Sequence, residues 1–137
     1  MTAYNFQRRF VDMILSLHKP HTIRAERKNS TKVGDWLQLY TGMRTKQCTL
    51  IAEAPCTHVE RIGIFLDAPQ PYVLIDDYGL SIDEMDRLVR RDGFQNRQEF
   101  FSFFAQYPRE VREEKLRLIW WNTSELVEFW SVRNARK

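Results

Sequence analysis

The chain has 137 residues, 43% hydrophobic and 13% aromatic, enough for one packed domain. No apolar run reaches the roughly 18 residues a membrane helix needs, and two cysteines and three histidines show neither a disulfide framework nor metal spacing. The net charge of +3 is unevenly spread: residues 1–48 carry +6, residues 49–87 carry −6 and residues 88–137 carry +3.

In chain order, Asn5 to Phe10 reads as a first strand, and Val11, Ile14 and Leu15 as one face of a short helix. Pro20 ends that helix, since it lacks a backbone donor and disfavours helix in the residue before it. Thr22 and Ile23 favour extended backbone. Gly34-Asp35 is a turn, and Trp36 to Thr41 alternates as a strand. Gln47 to Ala54 and Val59 to Leu66 read as two further strands, with Pro55 bending the chain between them, and Tyr72 to Ile75 as a short one. Ser81-Ile82-Asp83-Glu84 is a capping box, opening a helix whose buried stripe is Ile82, Met85, Leu88 and Val89. Gly93 ends it. Asn96 caps the next helix, with Phe100, Phe101, Phe103, Phe104 and Tyr107, and Pro108 stops it. Lys115 to Trp121 alternates as a last strand of a domain spanning residues 1–121. Residues 122–137 read as an amphipathic helical extension with Leu126, Phe129 and Trp130 in one stripe. It folds back on the domain or pairs two copies in a weak homodimer.

Strands, then helices, then a closing strand predict an α+β fold, a small, mostly antiparallel β-barrel with helices packed at its rim. Met1 to Arg9 has no apolar leader segment, and the expected location is cytoplasmic, with Cys48 and Cys56 as reduced thiols. No cofactor, no metal and no membrane contact are expected.

The chemistry concentrates in Leu17 to Arg24, which holds His18, Lys19, His21, Thr22 and Arg24. In an extended strand Thr22 and Arg24 share a face. Lys19 joins them from the preceding loop, so an amine, a hydroxyl and a guanidinium converge on one small polar or anionic ligand. The loop that follows carries Arg27 and Lys28 and attracts phosphate if it is more than a solvated loop.

This stretch resembles the motif Gly-x-Lys-x-x-Thr-x-Arg of the ASCH domain, a branch of the PUA-like β-barrels. Lys19, Thr22 and Arg24 match, and Leu17 stands where the family usually has glycine. Val33-Gly34-Asp35, the strand Leu37 to Gly42 with Met43 to Lys46, and Asp92-Gly93-Phe94 before an aromatic helix follow in the family's order. The resemblance covers about residues 4–121. It implies recognition of RNA or a modified, cytosine-type nucleoside, and in some members hydrolysis of N4-acylcytidine to cytidine. On that reading Lys19 and Thr22 are catalytic, with Asp76 or Asp77 as the acid before the later helix, and Arg24 holds the oxyanion or the base's carbonyl. A non-catalytic RNA-binding module is the alternative. In it Arg24, Lys19, Arg44 and Lys46 contact phosphate or a base edge, and Trp36, Tyr40 or Tyr78 stacks a base. A metal-independent ribonuclease would use His18 or His21 with Lys19.

Overall fold

A computed structural model describes residues 2–130. The elements run β1 (Thr2–Phe6), α1 (Val11–Leu15), β2 (His21–Ala25), β3 (Trp36–Thr41), β4 (Thr49–Phe65), β5 (Tyr72–Ile75), β6 (Tyr78–Gly79), α2 (Ile82–Arg91), α3 (Arg97–Phe104), α4 (Arg109–Glu114), β7 (Leu116–Trp121) and β8 (Val127–Glu128). The fold is α+β, with one curled half-barrel sheet and a few helices. The sheet is mixed: β1 and β3 are parallel, and the other pairings among the described residues are antiparallel.

The long strand β4 organises the sheet, and here the sequence expectation needs correcting. Pro55 does not divide two strands; it lies inside one of 17 residues. Up to Pro55 the strand pairs with β3, and from Cys56 it pairs with β7. Proline is tolerated at this change of partner, where no ladder bond needs its missing N–H. Its carbonyl accepts from Asn122 N at 3.0 Å. Two bulges bend the strand. At the first, Leu39 pairs with Ala52 and Tyr40 with Leu50, so Ile51 is the extra residue. The inward parity therefore switches from Thr49 and Ile51 to Ala52, Ala54 and Cys56, all buried, while Leu50 is only half-buried. Cys48 is exposed and Cys56 buried, both as free thiols.

The expected strand over Asn5 to Phe10 is shorter and earlier: β1 ends at Phe6, and Arg8–Phe10 forms a 3-10 turn into α1. The capping box of α2 forms as predicted, with Ser81 and Glu84 bonding reciprocally. Met85, Leu88 and Val89 are buried, but Ile82 is exposed, because its position in the first turn lies beyond the edge of the core. Asn96 caps α3, which buries Phe100 and Phe104. After Pro108 the short helix α4 forms, which the sequence reading left out.

Within the described residues the C-terminal extension does not open as a helix. Asn122 accepts hydrogen bonds from Ser124 N at 3.0 Å and Ser124 Oγ at 2.6 Å. A 3-10 turn follows, and then β8 pairs with Ala52 and Glu53 of β4. The open edge of β4 offers backbone partners that an isolated helical turn lacks. Leu126 and Phe129 therefore flank a strand, so the expected helical stripe of Leu126, Phe129 and Trp130 does not form over these residues. The part of the expected helix over residues 131–137 lies outside the described residues. None of the described helices is long and apolar enough to cross a membrane.

Candidate functional site

Lys19, Thr22 and Arg24 are brought together at a seam of the sheet. Three local devices do this. First, α1 ends at Ser16, and Leu17 adopts φ 69°, a left-handed turn that glycine enters without steric cost. The turn delivers Lys19, whose amide donates to Met13 O at 3.0 Å. Second, β2 pairs with β7, setting Thr22 opposite Ile119 and His21 opposite Trp120. Alternation puts Thr22 and Arg24 on one face and His21 on the other. Third, α2 closes with a Schellman turn: Gly93 N donates to Arg90 O at 3.0 Å and Phe94 N to Val89 O at 3.0 Å. Gly93 has φ 104°, and a Cβ there would stand 2.6 Å from the Phe10 ring. Asp92 precedes this close approach in the turn and lies within hydrogen-bond reach of Lys19.

Asp92 is the acid of the site. Lys19 Nζ donates to Asp92 Oδ1 at 3.0 Å and to the Asp92 carbonyl at 2.6 Å. His21 Nδ1 lies 3.2 Å from the same Oδ1. An ionised carboxylate only accepts, so Nδ1 carries the hydrogen. Lys19 is 2% exposed, His21 0%, Thr22 3% and Asp92 3%. Burial is the largest influence on Lys19 and pulls its pKa below the ordinary lysine value against the attraction of Asp92, with Arg24 and Arg9 pulling the same way as burial. Burial pushes the Asp92 carboxyl up, but Lys19 and then His21 outweigh it and hold it below its ordinary value. Burial also lowers His21, against Asp92, so the imidazole is neutral at neutral pH.

The Thr22 hydroxyl accepts from Arg24 Nε at 2.9 Å, leaving its own proton free to donate. No hydrogen bond joins Lys19 to Thr22. Arg24 also donates through Nη2 to the Asn5 carbonyl of β1. The guanidinium stands 4.7 Å from the Phe6 ring centroid, and the Lys19 ammonium 5.6 Å from it on the same ring. Lys19, Thr22, Arg24 and Asp92 line a cavity of about 230 Å³, with Phe6, Phe10, Phe94, Phe103, Phe104 and Tyr107 as aromatic walls and Asn5 and Gln7 at the β1 end. Its volume lies below the roughly 300–1,000 Å³ of drug-sized sites, which suits one small ring. A neighbouring cavity of about 370 Å³ shares Asn5, Phe6 and Gln7 with it and adds Arg8, Thr41 and Gly42.

Several expected residues lie elsewhere. Asp76 and Asp77 form the β5–β6 turn, at φ 46° and 70°. There Asp76 Oδ1 accepts from Arg61 N at 3.0 Å, Asp77 pairs with Arg61 at 3.2 Å, and neither lines the cavity of Lys19. Tyr78, in the same hairpin, is 60% exposed. Trp36 faces the outer side of β3 and donates Nε1 to Glu53 at 2.7 Å; Tyr40 shares that side. Arg27 donates to the Ala3 carbonyl at 2.7 Å and covers the Tyr4 ring at 4.1 Å, a structural role. Lys28 is exposed in the loop, and Arg44 and Lys46 are exposed in the β3–β4 connection, which Asn5 ties to the cavity rim by accepting from Met43 N at 2.9 Å. His21 lies behind the cavity wall, and His18 is exposed beside Ser16. The two histidines are therefore not assembled on one ligand.

Sequence reasoning had Asp92 in view only as part of a turn. A signal was present: an acid at the C-terminal end of a helix opposes the helix dipole, so Asp92 after Arg90 and Arg91 requires another reason to be there. No group of three or more His, Cys, Asp or Glu among the described residues is placed to hold a metal ion. No protein-family model matches the chain, and no curated protein matches it.

Proposed function

We propose that the chain is an ASCH domain of the PUA-like kind that binds a cytosine-type base and hydrolyses the N4-acyl amide of N4-acylcytidine. The observation that carries this reading is a buried lysine amine, held by Asp92, on the wall of a small aromatic cavity beside Thr22 and Arg24. Burial favours the neutral amine, the form a general base requires. Because Thr22 is engaged by Arg24 and not by Lys19, water is the nucleophile in this scheme. Lys19 takes its proton as the oxygen attacks the acyl carbonyl. Thr22 O–H and the remaining N–H groups of Arg24 donate to the developing oxyanion. The C–N bond then breaks, and the Lys19 ammonium, steadied by Asp92, returns the proton to the exocyclic nitrogen. The products are the carboxylic acid and cytidine.

A second reading, recognition of the same base within RNA, draws on the adjoining cavity with Arg8 and on the exposed Arg44 and Lys46 beside it. There the cavity takes one unstacked base and the cations meet the neighbouring phosphates.

The test is cytidine release from N4-acetylcytidine by the wild type, by Lys19→Ala with its fold checked by circular dichroism, and by Asp76→Asn. Release that is lost in Lys19→Ala and kept in Asp76→Asn is expected. No release by the wild type, or release retained by Lys19→Ala, overturns the hydrolase. Salt-dependent binding of a cytidine-rich oligonucleotide by the wild type and by Arg24→Ala then decides the RNA reading.

A further inference from the structure

A buried lysine that serves as a base creates a problem for its partner. When Lys19 loses its charge, Asp92 is left as an anion 3% exposed, with no cation bonded to it. The carboxylate would then compete for the proton that Lys19 is meant to handle. We infer that His21 is a positioning residue that prevents this, its Nδ1–H holding Asp92 as an anion while Lys19 is neutral.

The geometry fits such a role and no direct one. His21 Nδ1 and Lys19 Nζ converge on one oxygen, Asp92 Oδ1, at 3.2 and 3.0 Å. The imidazole does not line the cavity, so it touches no ligand. Its ring is fixed edge-on against Trp120 at 4.5 Å between centroids, and Trp120 is itself held by Nε1–H donation to Glu60 at 2.8 Å. His21 Nε2 is buried with no hydrogen-bond partner, so nothing at that nitrogen holds a proton, and the hydrogen stays on Nδ1. The other charged groups that act on His21 are Lys19 and Arg91; those on Lys19 besides Asp92 are Arg24 and Arg9. All of these are cations, so Asp92 is the one anion among the charged groups that act on the pair, and of them only Lys19 is bonded to it.

The sign of the effect follows. The bond from His21 is stronger when Asp92 bears an uncompensated charge than when Lys19 neutralises it. Removing the donor therefore penalises the neutral-lysine state more, and Lys19 becomes harder to discharge. The inference rests on reading Lys19 as a base, but it is measured without substrate, so a failure to release cytidine leaves it to stand or fall alone.

The experiment is a pH titration of lysine labelled at the ε-carbon, followed by NMR, with the Lys19 signal identified by its absence from Lys19→Met. His21→Phe keeps the ring against Trp120 and removes the donor; His21→Asn replaces the ring but returns an N–H near the place of Nδ1. The Lys19 midpoint is expected to rise by about one pH unit in His21→Phe and to return toward the wild type in His21→Asn. An unchanged midpoint in folded His21→Phe, or equal shifts in both variants, overturns the inference. Nitrogen-15 histidine spectra of the wild type provide a test that needs no variant: the Nδ1–H tautomer is expected, and finding the Nε2–H tautomer overturns it as well.

Discussion

Replacing Asp92 by asparagine removes the charge opposite Lys19 while keeping a similar shape. The pair is almost fully enclosed, with side-chain exposures of 3% and 4%, and breaking such a pair costs about 3–5 kcal/mol. Proton release sets a second, independent bound. An unpaired Lys19 escapes the penalty by releasing its proton. At pH 7 this costs at most about 4.6 kcal/mol for a group that titrates near 10.4 in the unfolded chain. At pH 9 the same release costs at most about 1.9 kcal/mol. The destabilisation of Asp92→Asn should therefore shrink as pH rises, because the unfolded chain binds a proton that the folded variant lacks. Urea unfolding of wild type and variant at pH 7, 8 and 9 reads this directly. The difference should narrow by up to about 1.4 kcal/mol per unit, until the wild-type Lys19 itself titrates. A loss below about 1 kcal/mol at pH 7 would refute the assignment of Asp92 as the buried counter-ion, and a loss that is flat from pH 7 to 9 would mean that Lys19 is already neutral beside Asp92 in the wild type.

Other expectations are as direct. Gly93→Ala places a methyl 2.6 Å from the Phe10 ring at φ 104° and should cost about 3 kcal/mol in urea unfolding; a loss under about 1 kcal/mol would show that the turn relaxes freely. Leu17→Gly relieves a left-handed backbone at an exposed position and should raise stability by about 1 kcal/mol, seen as a higher urea midpoint; a lower midpoint would contradict this. His21 is held below its ordinary value of 6.5, chiefly by burial. Between its folded value and 6.5 the unfolded chain binds the extra proton, so stability should fall as pH drops below about 6.5, and this decline should be absent from His21→Asn. Asp92 acts further into acid. Its lowered value contributes stability above its ordinary 3.8, and that contribution disappears as pH falls through the folded value.

What the sequence disclosed and what it withheld divide along sequence distance. Ser81 with Glu84, Asn96 before α3, and the alternation of His21 to Ala25 and Leu116 to Trp121 are local patterns, and the elements form where those patterns stand. Lys19, Thr22 and Arg24 lie within six residues and were read together. Asp92 is 73 residues from Lys19. Nothing local marks which of the 18 acidic residues crosses that distance, and Asp76 and Asp77 are expected as the acid only because they are the carboxylates nearest the place, before the later helix, where the resemblance puts one. Their left-handed backbone shows instead the demand of a tight hairpin. Pro55 misled for a related reason: a proline breaks a strand that keeps one partner, and here the strand changes partners at that residue.

The two arginines that reach β1 have a consequence for solubility. A strand at the margin of a sheet presents a ladder of bare carbonyls on which another chain can polymerise. On β1 the carbonyls of Ala3 and Asn5 are instead occupied by Arg27 and Arg24. This caps the margin with positive charge, so a second molecule approaching there meets repulsion before it meets backbone. The guanidinium proposed to meet a ligand is thus also a guard against self-association, and a neutral residue at position 24 should leave the chain more prone to aggregate.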